Sequence, residues 1–238
     1  MNIEMIPALD DNYIYLLRSG TEAIVVDPST AEDVLPALEQ QRPTRVRILI
    51  THSHHDHVGG VAALKKQTGA EVFGAGNARI PELDHPLAEG DTIAFGETVL
   101  NVLETPGHGD RDLSYLLIRP KKPAALFCGD TLFVSGCGRI FEGSAQSLWN
   151  SLLKLAALPA DTAVYCGHEY TLENLRFAQS IDPDDSAYQS RRAEVETQRS
   201  HQLPTVPSTI GTELRANPFL RCASLDEFTR LRNQKDTF

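Results

Sequence analysis

The amino-acid sequence predicts a mixed α/β fold with a mainly helical C-terminal part. Three observations predict it. Short β-branched and aromatic runs recur through the first two thirds, as in Tyr13-Ile14-Tyr15-Leu16-Leu17 and Ala23-Ile24-Val25-Val26. Helix-like segments stand between some of them. Beyond Gly167 the strand-like runs stop and helical segments take over.

In chain order, the two runs just quoted are strands joined by the Ser19-Gly20 turn, and Asp27-Pro28 ends the second. A helix is expected over 31–40, weakened or kinked by Pro36. Residues 46–50 are a strand and 61–66 a helix. Glu71-Val72-Phe73 is a short strand, followed by a glycine-rich turn, Gly74-Ala75-Gly76, that lacks the G-x-G-x-x-G spacing of a nucleotide site. Residues 92–95 and 98–103 form a hairpin, and 114–118 and 124–128 two further strands. A helix over 145–155 starts from Ser144 as N-cap, and 163–166 is the last strand. Residues 172–180, 187–198 and 225–232 read as helices, with the stretch bearing Pro204, Pro207 and Pro218 extended. A boundary near Gly167 gives domains 1–167 and 168–238, the second too small to bury a large core alone.

The chain has 238 residues, 41% hydrophobic, enough for one large domain or a domain plus an appendage. Its 32 acidic against 22 basic residues leave a formal charge of -10, which repels phosphate backbones, so no nucleic-acid partner is expected. The start, Met1-Asn2-Ile3-Glu4-Met5, does not read as a signal peptide, and no apolar run is long enough to cross a bilayer. Cys128, Cys137, Cys166 and Cys222 form no C-x-x-C pair and are expected as reduced thiols of a cytoplasmic protein.

Function is concentrated in Thr51-His52-Ser53-His54-His55-Asp56-His57-Val58-Gly59-Gly60, where a strand hands over to a helix. His52 and His54 are two apart, so extended backbone turns both rings to one face, where they can grip one cation. Asp56 and His57 follow as the chain turns, which suits a second cation beside the first. Three later positions end predicted strands and follow a glycine: His108, Asp130 and His168. His55, His85 and His201 lack that setting.

With these residues assembled, the chain resembles the glyoxalase II family, the hydroxyacylglutathione hydrolases of the metallo-β-lactamase superfamily. The T-H-x-H-x-D-H run marks the superfamily. Phe127-Cys128-Gly129-Asp130-Thr131-Leu132-Phe133, Gly136-Cys137-Gly138-Arg139, Phe141-Glu142-Gly143 and Tyr165-Cys166-Gly167-His168-Glu169-Tyr170-Thr171 are more specific. Asn217-Pro218-Phe219-Leu220-Arg221 and Arg232-Asn233-Gln234-Lys235-Asp236 match the family's helical domain. The resemblance implies a four-layered αβ/βα sandwich followed by that domain. It implies two divalent metals, with zinc expected and iron or manganese also suited to the donors. His52, His54 and His108 would hold one, Asp56, His57 and His168 the other, and Asp130 would bridge both. Arg139, Phe141, Tyr170, Arg232 and Lys235 would bind substrate. The chain departs from the family at Gly109 and Asp112, commonly Thr and His, and at Phe141, where some members have Tyr.

The implied activity is hydrolysis of S-(2-hydroxyacyl)glutathione, chiefly S-D-lactoylglutathione, to glutathione and a 2-hydroxy acid, in methylglyoxal detoxification. Two cations about 3.5–4 Å apart can share a water and strip its proton, so that hydroxide attacks the thioester carbonyl. Asp56 and Asp130 are the catalytic carboxylates on this view. The leaving thiolate, of aqueous pKa about 8.5–9, requires no general acid. A monomer with neither membrane nor nucleic-acid partners is expected. Ser53 and Cys137 lack the setting of a nucleophile. The alternatives are a mono-iron glutathione persulfide dioxygenase of the same superfamily, a nuclease of the RNase Z type, disfavoured by charge, and a non-catalytic metal-binding protein.

Overall fold

The first strands, β1 (Asn2–Ala8), β2 (Asn12–Ser19) and β3 (Glu22–Val26), pair antiparallel. Strands β4 (Arg45–Leu49), β5 (Glu71–Ala75) and β6 (His85–Leu87) extend the sheet in parallel, Val25 opposite Ile48 and Ile48 opposite Val72. Apolar residues run through β2 and β3 without alternation because both faces are buried. The computed structural model describes residues 1–76, 79–120 and 123–238. The chain divides into two units, Met1–Glu104 with Arg111–Lys122, and Thr105–Asp110 with Pro123–Phe238.

In the first unit, helices α1 (Leu35–Gln41) and α3 (Val61–Thr68) cover one face of the sheet. Leu38 and Leu64 pack there with Ile14, Val25, Ile48 and Val72. Each such fully buried side chain contributes about 1.5–3 kcal/mol. The short helix α2 (His55–Val58) precedes α3. The antiparallel ladder β7 (Thr92–Phe95), β8 (Thr98–Glu104) and β9 (Leu113–Ile118) belongs to the same unit. Arg47 of β4 donates to Ala94 O at 2.6 Å and stands 5.6 Å over the Phe95 ring, so β7 meets the sheet's other face. The Tyr115 hydroxyl donates to Ile50 O at 2.6 Å.

In the second unit, β10 (Ala125–Phe127) pairs parallel with β13 (Ala163–Tyr165), and β14 (Ser208–Thr209) pairs antiparallel with β13. Strands β11 (Leu132–Phe133) and β12 (Gly136–Cys137) make a small hairpin. The helices are α4 (Ala145–Ala156), α5 (Thr171–Ile181), α6 (Ser186–Ser200), α7 (Ile210–Ala216) and α8 (Leu225–Asp236). Trp149 of α4 meets Phe228 of α8 at 5.3 Å, and Phe219 meets both Phe177 and Phe228 at 5.9 Å. Buried Glu213 of α7 accepts from Ser135 N at 2.7 Å and from the Ser208 hydroxyl. Asn217 donates to Gly136 O at 2.9 Å and to Phe133 O at 3.2 Å, so this end of α7 anchors the hairpin.

Several expectations need correction. Helix α1 starts at Leu35, with Pro36 in its first turn, where the missing N–H is harmless; it neither kinks nor weakens the helix body. Gly74 and Ala75 belong to β5, not to a turn, because Ile50 N donates to Phe73 O and β6 pairs alongside. The stretch holding Pro204, Pro207 and Pro218 is not extended throughout, since it contains α7, capped by the Thr209 hydroxyl accepting from Thr212 N at 3.1 Å. Strands β1 and β6 were not expected; their exposed or half-buried residues lack the apolar density of the central strands.

Candidate metal-binding and substrate residues

The histidine loop leaves β4 and enters α2. Gly60 is required where it stands, because a Cβ there would lie 2.4 Å from the Thr30 carbonyl carbon. His52 and His54 bring their rings to 4.7 Å, with His52 Nε2 3.2 Å from His54 Nδ1. His57 packs on His52 at 4.1 Å, and its Nε2 lies 3.4 Å from Asp56 Oδ2.

Hydrogen bonds set the ring tautomers. Asp27 Oδ1 accepts from Thr51 N at 2.8 Å, and Oδ2 accepts from the Thr51 hydroxyl at 2.6 Å and from His57 Nδ1 at 2.9 Å. The Thr51 proton is thus given to Asp27, so the Thr51 oxygen accepts from His52 Nδ1 at 3.0 Å. Both His52 and His57 therefore carry their proton on Nδ1 and present Nε2 as the basic nitrogen, the form a metal ligand needs. Asp27, His52 and His57 offer atoms within 4.8 Å of one another. The Asp27 oxygens already accept three bonds, the setting of a carboxylate that orients neighbouring side chains. Asn12 does the same for Asp56, donating to its Oδ2 at 3.0 Å and its backbone oxygen at 3.2 Å. Basic nitrogens beside a carboxylate fit a borderline divalent cation.

In the second unit, His108 Nε2 lies 3.5 Å and His168 Nε2 3.3 Å from Asp130 Oδ2. His108 Nδ1 donates to Arg139 O at 2.7 Å, which again leaves Nε2 basic. Gly107 and Gly129, which precede His108 and Asp130, take left-handed backbone, with φ of 146° and 47°. Gly138 passes so close that a Cβ would lie 2.0 Å from Asp130 O.

A 340 Å³ cavity of this unit is lined by His108, Asp130, Arg139, Phe141, Tyr170, Arg232 and Lys235. Phe133, Cys137, Glu173 and Asn174 line it too, and no sequence signal had marked them as cavity residues. Tyr170 stacks on His168 at 4.7 Å, and Phe141 sets its ring edge-on to His108 at 5.3 Å. Arg232 is buried and donates to Cys137 O at 2.8 Å and Gly138 O at 3.2 Å. Burial pushes the Cys137 thiol up, outweighing neighbouring Arg232, so it stays protonated at neutral pH and is a poor nucleophile. All four cysteines are reduced and buried. Asp112 is buried, while His55 and His85 are exposed.

The metallo-beta-lactamase superfamily model matches residues 8–168, and the model of the hydroxyacylglutathione hydrolase C-terminus matches 169–238. A hydroxyacylglutathione hydrolase of Rhodospirillum rubrum is 49% identical over 230 residues, 95% of this chain and 89% of the relative. The chain belongs to the hydroxyacylglutathione hydrolase family of the metallo-beta-lactamase superfamily. Among solved structures, ETHE1 from Myxococcus xanthus is similar with a TM-score of 0.74 and 28% identity, covering 98% of this chain and 90% of that one. TTHA1623, solved in a di-iron-bound form, has a TM-score of 0.62 and 26% identity, covering 92% and 100%. The fold is thus the metallo-beta-lactamase fold followed by a mainly helical C-terminal region, and its histidine and aspartate groups are those of a divalent-metal protein. Among the described residues, no helix is long and apolar enough to cross a membrane.

Proposed function

We infer that this chain hydrolyses the thioester of S-(2-hydroxyacyl)glutathione, chiefly S-D-lactoylglutathione, releasing glutathione and D-lactate. The observation behind this reading is the cavity, where metal-type donors His108 and Asp130 share walls with Arg139, Arg232 and Lys235. Those cations suit a tripeptide with a carboxylate at each end. Relatives at 43–49% identity over most of the chain bear the hydroxyacylglutathione hydrolase name.

The proposed ligand sets are His52, His54 and His108 for one metal and Asp56, His57 and His168 for a second, with Asp130 bridging. Two zinc ions are the proposed complement. Bound divalent metals supply Lewis-acid stabilisation of the developing oxyanion and lower the pKa of the attacking water. The protein's own part is orientation. Asp27 and Thr51 fix the rings of His52 and His57, and Asn12 fixes Asp56. Arg139, Phe141, Tyr170, Arg232 and Lys235 hold the glutathione moiety. Residues 1–167 serve as the metal-binding catalytic domain and 168–238 as the substrate-binding domain. We place the protein in the cytoplasm as a monomer acting in methylglyoxal detoxification; four reduced, buried thiols agree with a reducing compartment.

The test pairs metal analysis of the purified protein with hydrolysis of S-D-lactoylglutathione. Turnover with about two divalent ions per chain is expected, and an inactive protein that retains its metal would overturn the reading. The persulfide dioxygenase alternative has less support, because the C-terminal hydrolase model matches residues 169–238 and the hydrolase relatives match over most of the chain. It predicts oxygen uptake with glutathione persulfide, and none is expected.

A further inference from the structure

The three cations lining the cavity already hold protein carboxylates. Arg139 Nε lies 3.0 Å and Arg232 Nη2 3.1 Å from the same oxygen, Asp236 Oδ1. Lys235 Nζ meets Glu173 Oε1 at 2.8 Å. The two carboxylates differ in how firmly they are held. Asp236 is shared by two guanidinium groups, and its backbone oxygen accepts a further bond from Arg139. Glu173 holds the Lys235 ammonium from a side chain that is 65% exposed, whereas that of Lys235 is only 8% exposed. Lys235 is also fixed by aromatic faces, its Nζ standing 5.5 Å from the Phe177 centroid and 5.6 Å from that of Phe238. Glu173 can therefore swing into water at little desolvation cost, while Lys235 stays in place.

We propose that Glu173 is a specificity-determining residue, a displaceable counter-ion that masks Lys235 until a carboxylate of the incoming thioester takes its place. The proposal rests on the glutathione-thioester reading above. An anionic substrate exchanges one carboxylate for another at Lys235. A thioester without a carboxylate has nothing to exchange and leaves the Glu173–Lys235 pair intact. The product thiol keeps every carboxylate of the glutathione moiety, so a permanently bare Lys235 would retain product as firmly as it captures substrate. The mask weakens both and favours departure of the product. An ion pair with one exposed partner accounts for roughly a two- to five-fold change in affinity.

The experiment uses the metal-loaded full chain and the variant Glu173→Gln, which keeps the side chain's size and removes its charge. Three quantities are measured: KM for S-D-lactoylglutathione, calorimetric Kd for glutathione, and kcat/KM for the uncharged S-lactoyl-N-acetylcysteamine. The first two should fall together by roughly two- to five-fold while the third does not move. In a Lys235→Met background, Glu173→Gln should change none of them. An unchanged or weaker glutathione Kd in Glu173→Gln overturns the mask. So does an equal change with the uncharged thioester, or persistence of the effect without Lys235. A wild-type chain that binds glutathione but hydrolyses no glutathione thioester overturns the functional reading instead, and the calorimetric comparison still decides the mask. Glutathione binding to neither protein overturns both.

Discussion

The hydroxyl of Thr51 sets the tautomer of His52, and the carboxylate of Asp27 sets that of His57. Replacing Asp27 by Ala removes the acceptor of His57 Nδ1 and of the Thr51 hydroxyl that holds His52, so each imidazole can rotate or move its proton to the nitrogen a metal needs. Metal affinity should drop about 10–100-fold, read by competition with a chromophoric chelator; unchanged affinity would mean that Asp27 only ties down the loop. Asp130→Ala should lower both metal content and turnover of S-D-lactoylglutathione, because it takes away the carboxylate that stands between His108 and His168. Full retention of both would refute its bridging role. His52, His54, Asp56 and His57 were legible in the sequence because four donors crowd into six residues at alternating and turning positions. Asp27 and Asn12 were not, since they act on that loop from 30 and 44 residues away, and nothing local marks an aspartate or asparagine as an orienting group.

At the level of elements, legibility followed the strength of local signals. Helix α4 could be read to within a residue because Ser144 and Ser147 form a capping box. Helix α7 escaped because it is only seven residues long and points a glutamate, Glu213, into the interior. Its neighbour Asn217 is fully buried, and its amide serves two backbone carbonyls of the β11–β12 hairpin, those of Phe133 and Gly136. Asn217→Ala strands those acceptors at about 1–3 kcal/mol each. A fall in Tm of roughly 5–15 °C is expected by calorimetry, and a shift under about 2 °C would show that water replaces the amide without loss. The start of α6 makes a pH prediction. Asp185 caps the helix through Ala187 N and Tyr188 N and pairs with Arg221 at 2.7 Å, which holds its carboxyl below the usual value of 3.8. Its folded pKa is depressed, so its stabilisation is present above the unfolded value and lost as pH falls through the folded one. In urea melts, Asp185→Asn should therefore be less stable than wild type at pH 7, with the difference shrinking below about pH 4. A difference that is the same at both pH values would rule out the ion pair as its source.

For the molecule as a whole, the seven proposed ligands, His52, His54, Asp56, His57, His108, Asp130 and His168, are scattered widely along the sequence. The unfolded chain cannot hold that constellation, so metal binding adds directly to folding stability. The linkage is quantitative. Each ion bound only by the folded state adds about 1.4 kcal/mol to the unfolding free energy per tenfold rise in free metal above its Kd. Two ions add about 2.7 kcal/mol per decade. Trp149 is the sole tryptophan and is buried against Phe228, so its fluorescence reports unfolding of the second unit. Urea unfolding followed through Trp149 in zinc buffers should give a slope near the two-ion value, and a chelator should remove the whole increment. A slope near 1.4 kcal/mol per decade would reduce the site to one ion. A flat response would mean that the second unit folds without using its histidines and Asp130 as ligands, and the hydrolytic reading would then have lost its chemistry.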